Sequence, residues 1–364
     1  MDMLRGSPME ARGACLRAFF VRRLGVSSGE VNSQYAPVCD RDGSIIDGFP
    51  VTLPTLSPAM RGLLERIRRA GQPPFHTLSA PEARALYARS AEVLDLPRAP
   101  MARVENFTIA AADGALLPAR LYAPSAERLP VMLYLHGGGF TVGSIETHES
   151  LCRQLAMRSG AAVVSLDYRL APDHRFPVAV EDSWAALRWL HDTGAALLGL
   201  DARRLAIGGD SAGATLAAVA ALWARDEGID LRLQLLITPG TADAASMPSR
   251  AAFAEGFLLD ARLIDWFFDQ YIAVSERADW RFAPLNADDV EGVAPACVVL
   301  AECDPLVDEG LAYADRLRFA GVPVEIDIQR GMTHDFIKMG RALREAQAAQ
   351  AFAARALTNA FEKP

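Results

Sequence analysis

From residue 103 onward the chain alternates short apolar runs with stretches of helical period, and this alternation restricts the fold more tightly than any other feature. Runs at 104–109, 119–122, 131–135, 162–166, 205–208, 231–237, 296–301 and 324–328 have the length and content of strands. Apolar periodicity predicts helices over 147–159, 178–192, 212–227, 308–320 and 341–360. Strands apolar along their whole length need cover on both faces, which a mostly parallel sheet flanked by helices supplies. The expected fold class is α/β. Between 237 and 296 the alternation gives way to a long loop and a helix near 260–272 rich in Leu, Phe and Trp. Two amphipathic helices come first. Ser57 caps one whose Met60, Leu63, Leu64 and Ile67 share a face, and Ser79-Ala80-Pro81-Glu82 has the capping-box spacing that opens another toward Leu94. Residues 1–52 show no sustained period and read as a loosely ordered arm.

Several function classes are excluded by composition. A chain of 364 residues, 51% hydrophobic and 23% charged, is neither disordered nor fibrous. Its 37 basic and 45 acidic residues give a net charge of −8, which argues against a nucleic-acid surface. Lys338 and Lys363 are the only lysines, and neither follows a glycine run, so P-loop chemistry is out. Five cysteines without a C-x-x-C pair build neither a disulfide framework nor a zinc site, and a reducing cytoplasm is the expected location. His148-Glu149 begins an H-E-x-x pattern, but Cys152 stands where a second histidine would be needed, so no metal site is expected. No apolar run reaches the ~18 residues of a membrane span. The apolar patch at 18–21 is also too short for a secretory signal.

The chemistry is carried by four segments. Gly209-Asp210-Ser211-Ala212-Gly213 lies between a strand and a helix, the setting in which G-x-S-x-G is a nucleophile elbow. His136-Gly137-Gly138-Gly139 follows another strand, and chance predicts only about 0.002 such matches from six histidines and this glycine frequency. Three consecutive glycines mark a place where backbone amides approach something closely. The N–H groups of Gly138 and Gly139, with that of Ala212, are candidates for an oxyanion hole, while His136 and Gly137 are expected to structure the loop. The loop misses the dinucleotide fingerprint, since three residues and not two separate Gly139 from Gly143. Only one histidine follows Ser211 in the chain, His334, and it lies just beyond a strand, as a general base should. Asp304, directly after the strand at 296–301, is the preferred acid over Asp308 and Glu309, which open the next helix as dipole-stabilised carboxylates. Phe140, Phe257 and Leu258 are candidates for an acyl pocket, with Trp266 and Phe267 nearby, although core packing explains each equally well. Cys303 reads as a buried filler.

These segments, with Asp167-Tyr168-Arg169-Leu170-Ala171-Pro172, Asp304-Pro305-Leu306-Val307-Asp308-Glu309-Gly310 and Gly331-Met332-Thr333-His334, resemble the hormone-sensitive-lipase-like branch of the α/β hydrolases, the bacterial family IV esterases. The likeness runs from about Leu53 to Phe361. It implies an α/β-hydrolase catalytic domain over 103–364 and cap helices at 53–102, with a second cap segment at about 240–275. It also implies hydrolysis of short to medium acyl esters of small molecules without a cofactor, and a homodimer paired through the edge strand at 324–328. An amidase, lactonase or deacetylase would use the same mechanism. A small-molecule receptor on a hydrolase scaffold is the alternative of another class, but decayed scaffolds lose the base or nucleophile, and both are present. The chain departs from the family at Ala214, where a further glycine is common, at Thr238-Pro239 in place of Tyr-Pro, and at Asp335 in place of a glycine. Asp335 adds a carboxylate beside the base and so bears on its pH profile.

Overall fold

Eight strands form one sheet in the computed structural model, which describes residues 54–243 and 247–362, together with the backbone pairing of Val38–Cys39 to Ile45–Ile46. The rest of the arm expected over 1–52 lies outside the described residues. The strands are β1 (Arg103–Ala110), β2 (Leu116–Ala123), β3 (Pro130–Leu135), β4 (Ala162–Leu166), β5 (Asp201–Asp210), β6 (Leu231–Ile237), β7 (Ala296–Ala301) and β8 (Val324–Gln329). Their spatial order is β8-β7-β6-β5-β3-β4-β2-β1. The hairpin β1–β2 and the pair β2–β4 are antiparallel, and every other pairing is parallel.

Among the described residues the α-helices of eight residues or more are α1 (Pro58–Arg69), α2 (Ala80–Ser90), α3 (Glu149–Ser159), α4 (Val178–Trp189), α5 (Ala212–Asp226), α6 (Ala261–Tyr271), α7 (Val307–Phe319) and α8 (Arg344–Glu362). Period-2 geometry sends alternate strand residues to opposite faces. Val131, Leu133, Leu135, Ile207, Leu236 and Val298 join one core with α4, α5 and α7, whereas Met132, Tyr134, Ala206, Leu235 and Cys297 join another with α3 and α8. This double cover explains why the central strands β3, β4 and β7 are buried at every residue.

Ser57 Oγ accepts the Met60 N–H at 3.2 Å and starts α1, whose Met60, Leu63 and Leu64 are buried in the α3–α8 core. Each such side chain contributes about 2 kcal/mol of burial. At the start of α2 the Glu82 carboxylate accepts both the Ser79 N–H (2.9 Å) and the Ser79 hydroxyl (2.6 Å). Arg84 of α2 ties that helix to the loops that follow β3 and β4, donating to the carbonyls of Thr141 (2.9 Å) and Ala171 (2.7 Å). The insertion after β6 yields α6, capped by Asp260 accepting from the Leu263 N–H at 2.8 Å. Among the described residues no helix is long and apolar enough to cross a membrane.

Candidate active site

The C-terminal ends of β3, β5, β7 and β8 gather the predicted residues, because parallel strands deliver their following loops to one edge. Ser211 joins β5 to α5 with φ +52° and ψ −121°, a backbone region that a side chain occupies only under strain. Its glycine neighbours permit the turn. A Cβ on Gly209 would lie 2.4 Å from the Leu135 carbonyl oxygen, and one on Gly213 would lie 2.0 Å from the same atom. The Ser211 N–H donates to the Ile237 carbonyl at 2.8 Å, pinning the turn to β6.

His334 follows β8, with Nε2 2.9 Å from Ser211 Oγ and Nδ1 2.7 Å from Asp304 Oδ2. The other Asp304 oxygen accepts the Leu306 N–H at 2.9 Å, and Cys303 N–H to Met332 carbonyl, 2.8 Å, binds the two loops together. A carboxylate can only accept, so in the neutral ring Nδ1 carries the proton and Nε2 presents its lone pair to the serine hydroxyl. Burial alone would lower the His334 pKa, but the adjoining Asp304, then Asp335 and Asp210, outweigh it and raise the imidazole from 6.5 to about 9. Asp308 and Glu309 are engaged elsewhere, accepting the N–H groups of Ser249 (2.8 Å) and Thr241 (3.2 Å) respectively.

The glycine loop is built by close contacts. Gly138 (φ +124°) would bring a Cβ within 2.2 Å of the Val142 carbonyl oxygen, and Gly139 (φ +56°) within 2.2 Å of the Phe267 ring. His136 is buried behind the loop, stacked on Tyr168 at 4.4 Å and on His148 at 5.5 Å, with Nδ1 2.8 Å from the Gly137 carbonyl. Tyr168 donates its hydroxyl to the His136 carbonyl at 2.7 Å. Burial, followed by the neighbouring His148, pushes the His136 pKa down to about 3, so this ring is neutral.

Sequence reasoning missed the carboxylate beneath. Asp210 accepts the Tyr134 hydroxyl (2.6 Å) and the Gly137 N–H (3.1 Å), and contacts His148 Nε2 at 3.2 Å. Burial works to raise its pKa, yet His148, Lys338 and the Tyr134 hydroxyl together hold it below the ordinary carboxylate range. Asp210 thus joins the serine turn to the glycine loop. The signal was the second residue of the pentapeptide, a carboxylate where the tight turn itself asks for nothing charged.

A cavity of about 770 Å³ opens above these groups. Gly138, Gly139, Phe140, Ser211, Ala212, Leu258 and His334 line it, as does Phe267 of α6. Asp304 sits behind His334, 1% exposed. Phe257 is not among the lining residues: its ring packs edge-on against Phe253 at 5.0 Å, so a core contact claims it. Cys303 is fully buried, and burial pushes its thiol up to about 12, as a filler requires.

Residues 132–338 match the family model described as alpha/beta hydrolase fold. The chain is 41% identical over 292 residues to an ethyl acetate hydrolase of Pseudomonas putida, covering 78% of this chain and 92% of the relative. It is 37% identical over 325 residues to the carboxylesterase NlhH of Mycobacterium tuberculosis, covering 87% and 94%. A solved alpha/beta hydrolase enzyme from the metagenome of Lake Arreo, Spain, superposes with a TM-score of 0.81 at 39% identity, covering 85% of this chain and 99% of that one.

Proposed function

Because the chain belongs to the hormone-sensitive-lipase-like branch of the α/β hydrolases, and by that kinship is a carboxylic ester hydrolase, we propose that Ser211, His334 and Asp304 are its catalytic triad. The observation that carries this reading is the continuous relay from Asp304 through His334 to Ser211, with steps of 2.7 and 2.9 Å, at the wall of the cavity.

In this mechanism His334 Nε2 takes the Ser211 proton as Oγ attacks the ester carbonyl carbon. The carbonyl oxygen gains the negative charge, and the amides of Gly138, Gly139 and Ala212 receive it, each donor stabilising the transition state by about 3 kcal/mol. His334 then gives its proton to the departing alcohol oxygen as the tetrahedral adduct collapses to the acyl-enzyme. Water, deprotonated by the same nitrogen, attacks the acyl carbon and frees the acid. Asp304 keeps the imidazole in one tautomer and supports its positive charge. Asp210, paired with His148 and the Gly137 amide, holds the glycine loop against the serine turn.

Helices α1, α2 and α6 serve as a cap in this reading, supported by Leu63, Leu86, Tyr87, Leu263 and Phe267 on the cavity wall. The acids accepted are short to medium chains. Hydrolysis of p-nitrophenyl acetate through hexanoate by wild type and Ser211→Ala tests the proposal: the variant should lose a factor of about 10⁴ or more in kcat. Wild-type inertness, or a variant of undiminished turnover, would overturn it.

A further inference from the structure

One corner of the cavity holds a buried ammonium beside a tyrosine. Lys338, one of two lysines in the chain, is 8% exposed and lines the wall four residues beyond His334. Its Nζ donates to Tyr87 Oη at 2.9 Å and sits 4.8 Å from the centroid of that ring. Among the described residues Tyr87 is its one hydrogen-bond partner, while an ammonium has three N–H donors. Tyr87 and Asp335 line the same corner.

A buried charge is retained only where opposite charge and hydrogen bonds compensate it. Asp335 and Asp210 provide the charge, and Asp95, whose carboxyl burial pushes up to about 7, adds to it in part. Asp95 is itself buried, with both carboxylate oxygens unpartnered. With the negative charge of Asp335 and Asp210 already set against one ammonium, a further anion is unwelcome, which rules against an acidic substrate group. What the corner still has to give is donor capacity.

We infer that the Lys338–Tyr87 corner recognises a neutral oxygen acceptor on the substrate, a hydroxyl, ether or keto oxygen in its acyl or alcohol part, and selects such esters over alkyl esters of equal size. The inference rests on the ester-hydrolase reading of the same cavity. A site that hydrogen-bonds a substrate group rejects the analogue lacking it, because its own polar groups are then left unpaired.

Two isosteric pairs test it by kcat/KM: ethyl 3-hydroxybutanoate against ethyl 3-methylbutanoate, and 2-methoxyethyl acetate against butyl acetate. Wild type should favour the oxygenated member of at least one pair by about tenfold or more, chiefly through KM. In Lys338→Met that ratio should fall to near one. Tyr87→Phe, which keeps the ammonium but removes its anchor, should lower the ratio partway and preserves the test if Lys338→Met does not fold. Cleavage of all four esters without preference, or a ratio that survives in Lys338→Met, would overturn the inference alone. Inertness toward all four would overturn the ester-hydrolase reading with it.

Discussion

Asp335 occupies a left-handed backbone position, φ +62°, immediately after the proposed base, and its carboxylate adds to the field that raises the His334 pKa. Only the neutral imidazole can take the serine proton, so the base form of the free enzyme grows as pH rises through about 9. The rising limb of kcat/KM against pH should therefore sit well above 6.5. Asp335→Asn keeps a side chain that tolerates this backbone and deletes the charge, so it should move the limb toward acid pH. A limb that stays in place would mean Asp335 does not act on the base. The stability linkage has the same sign. His334 gains affinity for its proton on folding, so the stabilisation is complete below about pH 6.5 and is lost as pH climbs through about 9. Asp335 was visible in the sequence as a departure from a family glycine. Lys338 was visible too, but as a lysine outside a P-loop, and only folding puts it on the cavity wall beside Tyr87.

At the scale of elements, the glycine loop shows how packing dictates sequence. Gly139 is held at φ +56° with the Phe267 ring where its Cβ would be. Gly139→Ala should cost about 1–3 kcal/mol of stability through backbone strain and overpacking, read as a drop in denaturation midpoint. It should also lower kcat by about 10²-fold, as expected when an oxyanion donor is displaced. An active, fully stable Gly139→Ala would contradict the close packing of α6 on this loop. The strands β4, β6 and β7 match their predicted runs residue for residue, because all their residues but the half-buried Arg232 are buried under the covering layers. Elsewhere tertiary contacts override local signals. The helix expected to reach Leu94 ends at Ser90, since Glu92 takes φ +59° to accept the Ser150 N–H at 2.5 Å and pair with Arg98 at 2.8 Å. The helix expected over 178–192 passes into a π turn at Leu190–Gly194, where a Cβ on Gly194 would lie 2.3 Å from the Trp189 ring. Neither event has a local sequence signature.

Across the whole molecule, four strand ends, two N-terminal helices and one inserted helix converge on a single cavity. The three proposed catalytic side chains are 93 and 30 residues apart along the chain and within hydrogen-bond reach in space. The order of the motifs made this convergence legible, while the cavity's wall was not, because a lining residue and a core residue have the same hydrophobic pattern: Phe267 lines the cavity and Phe257 packs against Phe253. The most direct test of the relay is covalent. Treating the full chain with a p-nitrophenyl alkylphosphonate and mapping the adduct by peptide mass spectrometry should find one phosphonyl group per chain, on Ser211, and none in Ser211→Ala. An adduct on any other residue, or equal labelling of Ser211→Ala, would contradict the assignment of Ser211 as the nucleophile.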